Sequence, residues 1–237
     1  MKMTCTDQFS VSLCVYEKDD PRFFKTAIDS IIHQTRPPDE IVLVVDGPVG
    51  EALAGVIEEY EKLDLFRVVR LKKNSGHGNA RRTGLEQCRF PLIALMDADD
   101  ISRPDRFEKQ LAVFQADSTI DIVGGNIAEF YESPAQPTGY RIVQEQDAAI
   151  KEYMKKRCPM NQVTVMFRRA AVEQAGGYID WFCNEDYYLW IRMALHGARF
   201  ANVRTVLVDV RMDKAAISRR GGYKYFRSEA GIQTYLY

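Results

Sequence analysis

The sequence has no apolar run that approaches the roughly 20 residues needed to span a bilayer, and its first ten residues lack the apolar stretch of a signal peptide. Its five cysteines are scattered without the CxxC spacing of metal or redox sites, which is typical of reduced thiols. We therefore expect a cytoplasmic protein. The formal net charge of −1 provides no basic excess, so nucleic acid is not an expected partner.

The composition that remains is that of an ordinary globular chain, with 237 residues of which 46% are hydrophobic and 27% charged. Strand patterns alternate with helix patterns as far as residue 125, which predicts an α/β fold with a mostly parallel, Rossmann-like sheet flanked by helices. The pattern then becomes less regular. We expect a single domain over residues 1–237, with one half at about 8–125 and a smaller half at about 126–237.

Apolar runs and turn signals place the individual elements. Strands are predicted at residues 10–16, 41–45, 66–71, 92–96, 120–125, 163–167 and 206–210, with the run at 120–125 ending in a glycine turn. Helices are predicted from Pro21 onward and at residues 51–62, 80–87, 104–115, 143–156, 168–175 and 184–196. Pro104 would occupy the first helical position of its helix.

Acidic clusters lie at the ends of three of these elements, at positions suited to chemistry. The buried run at 92–96 ends in Asp97, Asp99 and Asp100, and the strand at 41–45 ends in Asp46. The carboxyl ends of neighbouring parallel strands share one edge of a sheet, where α/β folds bind ligands. Hard oxygen donors without Cys or His nearby suit Mg²⁺ or Mn²⁺. For Asp46 alone, an ordinary turn aspartate is an equal alternative, whereas three carboxylates after five apolar residues favour function.

The Glu185-Asp186 pair is the third acidic cluster. Carboxylates at a helix start are favoured by the helix dipole whether or not they catalyse a reaction. The residues alone therefore leave a structural role open for this pair.

The chain resembles the family two glycosyltransferases of the bacterial cell-surface polysaccharide type, which have the GT-A fold. The matching segments run in the family's order over roughly residues 10–197. They read SVSLCVY, FKTAIDSIIHQT, DEIVLVVDGP, KNSGHGNARRTGL, LIALMDADDISRPDRFEKQL and FCNEDYYLWIRMALHG. A lone DxD motif is weak evidence, but MDADDxSxPxRxxxQ followed by EDYxLWxR is specific.

The resemblance implies a UDP-sugar donor bound in the first half of the fold. Asp46 would hydrogen-bond the uracil, Asp97 would lie near the ribose, and Asp99 would be the direct ligand of Mn²⁺ or Mg²⁺. The resemblance assigns nucleotide-sugar binding to Val15, Tyr16, Glu17, Asp46, Asn74, Gly76, Arg81, Asp97 and Ala98.

The same resemblance implies an inverting transfer to a hydroxyl of a glycan or lipid-linked glycan, bound by the second half. Asp186 matches the catalytic base that takes the hydroxyl proton. Glu185 is the weaker candidate, as an acceptor contact. His77 lies between glycines in the nucleotide loop, where exposure to solvent is at least as well supported as contact with a phosphate.

The last segment departs from the family pattern. Many relatives supply a metal-binding histidine after the last strand, whereas this chain has only His33, His77 and His196. Asp213 lies in that region, and Arg219 and Arg220 either fold over the diphosphate or belong to a solvated basic tail. The basic and aromatic residues from 219 to 227 form a candidate patch for peripheral contact with the inner face of the cell membrane.

Two other functions compete with glycosyl transfer. A sugar nucleotidyltransferase would also use an α/β sheet and a carboxylate-bound metal, but the turn at residues 16–20 lacks the glycine-rich phosphate loop expected there. A non-catalytic nucleotide-sugar-binding module is favoured only by the missing histidine. Retention of both acidic motifs argues against it.

Overall fold

The computed structural model describes residues 8–179, 181–212 and 223–235. These residues form one nine-stranded sheet with helices on both faces. Its strands are β1 (Phe9–Val15), β2 (Glu40–Val45), β3 (Phe66–Arg70), β4 (Leu92–Met96), β5 (Ile101–Ser102), β6 (Ile122–Phe130), β7 (Gly139–Arg141), β8 (Met166–Arg168) and β9 (Phe200–Arg211). The helices are α1 (Pro21–Ile32), α2 (Glu51–Glu61), α3 (His77–Gln87), α4 (Arg106–Ala116), α5 (Asp147–Met154), α6 (Arg169–Gln174), α7 (Glu185–Leu195) and α8 (Tyr223–Thr234).

The strand order is β3-β2-β1-β4-β8-β6-β9-β5, and β7 pairs with β6. The first four strands are parallel neighbours, so β1, β2 and β4 end at one edge of the sheet. Strand β8 is inserted antiparallel between β4 and β6, and β6 then pairs in parallel with β9 over its whole length. The longest ladders are parallel, as the sequence predicts.

Two apolar clusters cover the two faces of the sheet. One packs α1, α2 and α4 against inward side chains such as Leu13, Leu43 and Met96. The other packs α3, α5, α6 and α7 against side chains such as Ile93 and Phe167. The molecule therefore has three layers.

Helix α1 begins where the sequence predicts, because Asp20 caps it by accepting from the Arg22 N–H at 2.8 Å. Pro21 then occupies its first turn.

Several predicted boundaries are wrong for identifiable reasons. Residues 101–102 pair with β9 as strand β5, so α4 begins at Arg106 and Pro104 lies in the preceding turn. Helix α3 begins at His77, three residues before its predicted start. Of the predicted strand at 163–167, only Met166 and Phe167 belong to β8, after a 3₁₀ turn at Gln162–Thr164.

The predicted glycine turn at residues 124–125 is also wrong. Strand β6 continues through Gly124 and Gly125 to Phe130. A Cβ atom at Gly125 would lie 2.7 Å from Leu207 Cδ1 of β9, and one at Gly124 would lie 2.5 Å from the Asn202 side chain. These glycines allow two strands to approach closely, which is another use of glycine within a strand.

Candidate active site

A cavity of about 570 Å³ opens at the carboxyl ends of β1, β2 and β4. It is bounded by the start of α3 and by the segment that leads into α7. Eight of the residues predicted to form the site line it: Val15, Tyr16, Asp46, Asn74, Gly76, Asp97, Ala98 and Asp99. Among the other predicted residues, Glu17 is exposed outside the lining, Arg81 is buried beneath it, and Asp186 lies next to the lining residue Glu185.

Asp46 fixes the loop that precedes α3. Its Oδ1 accepts from the Ser75 N–H at 2.7 Å and from the Ser75 hydroxyl at 2.9 Å, and its Oδ2 accepts from the Gly76 N–H at 3.2 Å. A carboxylate offers about four acceptor positions, so about one remains for a ligand donor. Asp46 therefore shapes the cavity wall as well as facing the cavity.

Residues 97–100, which follow β4, form a turn that we call the acidic turn. Arg81 is an almost fully buried cation beneath it. Its Nη2 donates to Asp97 Oδ1 and its Nη1 donates to the Ser12 carbonyl of β1 at 3.1 Å. A buried guanidinium is tolerated because it is paired with a carboxylate and hydrogen-bonded. Arg81 thus holds Asp97 in place from below and leaves the other carboxylate oxygen of Asp97 outside this ion pair.

The acidic turn is fastened to β9. Asp100 is buried and its Oδ1 accepts from the Arg211 N–H at 2.8 Å, while Arg211 Nε donates to the Asp99 carbonyl at 3.2 Å. Burial, followed by the charges of Asp99 and Asp97, raises the pKa of Asp100 well above its ordinary value. Asp100 therefore has a structural role, and Asp97 and Asp99 face the cavity.

Asp19 is a site residue that the sequence interpretation missed. It lines the cavity, and its Oδ2 accepts from the Tyr16 N–H at 2.8 Å. Burial raises its pKa to about 6, and the charges of Asp99 and Asp97 add to the shift. The sequence feature that could have identified Asp19 is its position just after β1, at the same sheet edge as Asp46 and Asp97.

His77 lines the cavity as one of its two sequence alternatives allowed, but its partner was not foreseen. It lies at the start of α3, lines the cavity, and pairs through Nδ1 with Glu185 Oε1 at 2.7 Å. Contacts between residues 108 positions apart leave no local sequence signal, so only the fold could show this pair. Burial opposes ionisation of Glu185, but the hydrogen bond from His77 and the charge of Arg81 outweigh the effect of burial and lower the pKa of that carboxyl.

Asp186, the predicted base, has the opposite shift. Burial, followed by the charge of Glu185, raises its pKa to about 6. The Cys158 thiol lies 3.7 Å from Asp186 Oδ2. The Asp186 side chain is only partly exposed to solvent. Glu185, not Asp186, contributes to the cavity lining. The structure places the two carboxylates side by side at the start of α7.

Aromatic side chains form the wall nearest to α7. Phe182 is 56% exposed, and the partly buried Trp181 packs on Tyr188 with ring centroids 4.6 Å apart. Trp181 Nε1 also donates to the Ser228 carbonyl of α8 at 3.3 Å. Trp181 is therefore partly a packing residue, and Phe182 offers the open apolar face.

The donor set tests whether the site suits a divalent cation. In the described part of the chain, no group of three or more His, Cys, Asp or Glu side chains is arranged to hold a metal by itself. Mg²⁺ is usually bound through one or two carboxylates together with substrate phosphates. Asp99 and the second oxygen of Asp97 match that pattern. Asp213, Arg219 and Arg220 lie outside the described residues.

The family model for Glycosyl transferase family 2 matches residues 10–176, well over half of the chain. The chain belongs to glycosyl transferase family 2. This family 2 enzyme is 40% identical over 222 residues to an uncharacterized glycosyltransferase of Haemophilus influenzae, covering 94% of this chain and 82% of that protein. It is therefore a glycosyltransferase, which sets aside the nucleotidyltransferase and the non-catalytic module.

Two further relatives carry more specific names. The enzyme is 35% identical to the Escherichia coli UDP-Gal:alpha-D-GlcNAc-diphosphoundecaprenol beta-1,3-galactosyltransferase, covering 98% of this chain and 84% of that one. It is 36% identical to the amylovoran biosynthesis glycosyltransferase AmsE of Erwinia amylovora, covering 94% and 84%.

Solved structures show the same fold for this family 2 enzyme. Staphylococcus aureus TarS, residues 1–349 in complex with UDP-GlcNAc, superposes with a TM-score of 0.74 at 16% identity, over 95% of this chain and 65% of that one. The UDP complex of TarS gives a TM-score of 0.70. The GT-A fold expected from the sequence is confirmed. Within the described residues, no helix combines the length and apolarity needed to cross a membrane.

Proposed function

We propose that this enzyme transfers a hexose from a UDP-sugar to a hydroxyl of a lipid-linked glycan, with inversion and with a divalent metal. The observation that carries the proposal is the cavity itself, which brings Asp46, Asp97, Asp99 and Glu185 together at one sheet edge. The 35% identical relative is named for UDP-Gal and a diphosphoundecaprenol-linked acceptor, which supports this substrate class.

On the donor side, the chain's own residues bind and orient the nucleotide. Val15 and Tyr16 line the wall beside the nucleobase, and the remaining acceptor position of Asp46 accepts from the uracil N–H. Asp99 and Asp97 are the carboxylates that would hold Mn²⁺ or Mg²⁺, and the bound ion would neutralise charge on the leaving diphosphate.

On the acceptor side, Asp186 takes the proton. The acceptor oxygen attacks the anomeric carbon and forms the new glycosidic bond. The bond from that carbon to the diphosphate oxygen breaks, and UDP leaves with the electron pair. The hydroxyl proton passes to the Asp186 carboxylate, whose pKa of about 6 leaves it ionised at neutral pH and more basic than an ordinary aspartate. Attack opposite the leaving group inverts the anomeric centre.

The direct test is a transfer assay with purified enzyme and Mn²⁺. UDP-Gal, UDP-Glc, UDP-GlcNAc and UDP-GalNAc are each offered with a synthetic polyprenyl-diphosphate-linked GlcNAc, and product is identified by mass and by the anomeric coupling constant. We expect one donor to give product with inverted configuration. Transfer that persists undiminished with excess EDTA would contradict the metal requirement, and a retained anomer would contradict inversion.

We also propose peripheral contact with an anionic membrane through α8, because the acceptor is lipid-linked. Tyr223 and Phe226 of α8 are 74% and 65% exposed, and Arg227 is exposed beside them. Exposed aromatics next to a cation suit a lipid interface. We expect co-sedimentation with phosphatidylglycerol vesicles that the Y223S/F226S variant loses. Equal sedimentation of both proteins would contradict this contact.

A further inference from the structure

His77 connects the two halves of the enzyme through a contact on each ring nitrogen. Its Nδ1 lies 2.7 Å from Glu185 Oε1 at the start of α7. Its Nε2 lies 3.3 Å from Arg81 Nε, one turn further along α3. The side chain is about half exposed and faces the donor cavity.

These contacts fix the tautomer of the imidazole. A guanidinium has only donors, so the N–H at Arg81 Nε requires His77 Nε2 to accept. A neutral imidazole has one donor nitrogen and one acceptor nitrogen. Nδ1 therefore carries the proton and donates it to Glu185.

The contacts continue into the acidic turn. Arg81 is buried and donates to Asp97 Oδ1, so Glu185, His77, Arg81 and Asp97 form one continuous chain of hydrogen bonds. One end of the chain is a carboxylate beside Asp186, and the other is a carboxylate of the DxD motif. The chain joins residues on the acceptor side to residues on the donor side.

We propose that His77 is a positioning residue with two separable tasks. Its Nδ1–H orients Glu185 beside the catalytic base Asp186. Its Nε2 holds Arg81 beneath the donor-binding carboxylate Asp97. This inference rests on the proposed glycosyl transfer for its kinetic consequences. The tautomer on which it depends does not require turnover.

Two substitutions separate the tasks because each amide copies one ring nitrogen. In His77→Asn the amide nitrogen occupies the place of Nδ1, so the donor to Glu185 stays and the acceptor for Arg81 is lost. In His77→Gln the amide oxygen reaches the place of Nε2, so the acceptor stays and the donor to Glu185 is lost. One hydrogen bond to a charged group corresponds to a rate or affinity change of about tenfold or more.

We expect H77N to raise the KM for the UDP-sugar by about tenfold and to keep kcat within about twofold of the parent value. We expect H77Q to lower kcat by about tenfold and to keep that KM within about twofold. His33→Asn is the matched control, because His33 is exposed at the end of α1 and does not line the cavity. The unfolding midpoint is measured for each variant.

Two-bond ¹⁵N–¹H correlation spectra supply the readout that is independent of turnover. The chain has three histidines, so H33N and H196N assign the remaining signals to His77. A neutral ring with the proton on Nδ1 at pH 7 supports the proposal. A ring protonated on Nε2, or on both nitrogens, overturns it.

The kinetic results also test the His77 proposal. The proposal fails if H77N and H77Q each match the parent in kcat and KM, or if both change both parameters alike while their midpoints fall together. If the parent transfers no sugar, the proposed function fails instead. The His77 proposal is then judged by the tautomer and by UDP titration, in which H77N should bind more weakly than H77Q.

Discussion

At the scale of single residues, the two carboxylates that open α7 have opposite pKa shifts. The hydrogen bond from His77 lowers the pKa of Glu185 against the effect of burial, whereas burial and the charge of Glu185 raise that of Asp186 to about 6. Pairs of groups whose environments separate their pKa values are typical of acid–base catalysis. The difference favours Asp186 as the proton acceptor and Glu185 as its charged neighbour.

Replacing Asp186 with asparagine tests that assignment. We expect D186N to lose about 10²- to 10⁴-fold in kcat, because general base catalysis contributes that much, while UDP-sugar binding is retained. Asp64→Asn is the matched control, since Asp64 is exposed between α2 and β3 and lies away from the cavity lining. Transfer by D186N at the parent rate would show that Asp186 is not the base.

The raised pKa of Asp186 also predicts a pH dependence. Only the ionised carboxylate accepts a proton, and the ionised fraction falls below the pKa. We expect kcat at saturating donor to be level above about pH 7 and to fall about tenfold per pH unit below about pH 6. A rate that stays level down to pH 5 would contradict the role of this carboxylate.

Most cavity residues were predictable from the sequence because strand ends identify them. Asp46, Asp97 and Asp99 follow apolar runs whose parallel pairing brings them together. The pairing of His77 with Glu185 and the place of Asp19 in the cavity were not predicted, for different reasons. The contact of His77 with Glu185 depends on how two distant helices meet, and Asp19 shared a polar turn with three other charged residues at positions 17–20.

At the scale of elements, the seating of α3 on the sheet determines where His77 and Arg81 lie. Gly84 of α3 faces Ser12 of β1, and a Cβ atom built on Gly84 would lie 2.4 Å from the Ser12 hydroxyl oxygen. That hydroxyl makes no hydrogen bond with any part of the described chain. Its removal should therefore cost little.

We expect Gly84→Ala to lower the free energy of unfolding by about 1–3 kcal/mol through overpacking, and to weaken UDP binding because α3 is displaced. Adding Ser12→Ala should restore both, since the facing Cβ atoms would then lie 3.8 Å apart in ordinary contact. Denaturant unfolding and UDP titration measure the two effects.

Gly55→Ala serves as the control in α2, because a Cβ atom there meets nothing within 4 Å. We expect it to stabilise the enzyme by roughly 0.5–1 kcal/mol through helix propensity alone. A double variant S12A/G84A as unstable as G84A would show that the close approach to Ser12 is not what seats α3.

Element prediction succeeded where a local rule and the fold agreed. The run at Leu92–Met96 is a strand with the predicted bounds, and Asp20-Pro21 begins α1 as capping preferences indicate. The rule that glycine pairs mark turns failed at Gly124 and Gly125, because the close approach of β9 requires glycine there. Strand β5 has two residues and exists only through its pairing with β9, so no sequence window could identify it.

At the scale of the whole molecule, the donor cavity is built from both halves of the chain, so ligand binding should stabilise the entire domain. At a ligand concentration of about 100 Kd, binding adds about 2.7 kcal/mol. For a chain of this size, that corresponds to a rise of roughly 5–10 °C in the unfolding midpoint. We expect UDP with Mn²⁺ to produce this rise, and CDP, GDP or Mn²⁺ alone to produce much less.

Asp99→Asn should remove the dependence of the rise on Mn²⁺, when the rise is measured from the midpoint of the unliganded variant. A midpoint that responds equally to every nucleotide would indicate binding without uracil recognition. That outcome would contradict the role assigned to Asp46.

The attachment of the acidic turn to β9 also determines when the donor site can form during folding. Asp100 accepts from the N–H of a residue 111 positions later, and β5 pairs only with β9 among the described strands. During synthesis, the strands that precede Asp46 and Asp97 emerge long before β9 does. A nascent chain that has not yet reached Arg211 therefore carries all the donor-binding carboxylates but lacks the strand that fixes their turn. The enzyme should acquire its affinity for donor late in folding, when the last strand is added.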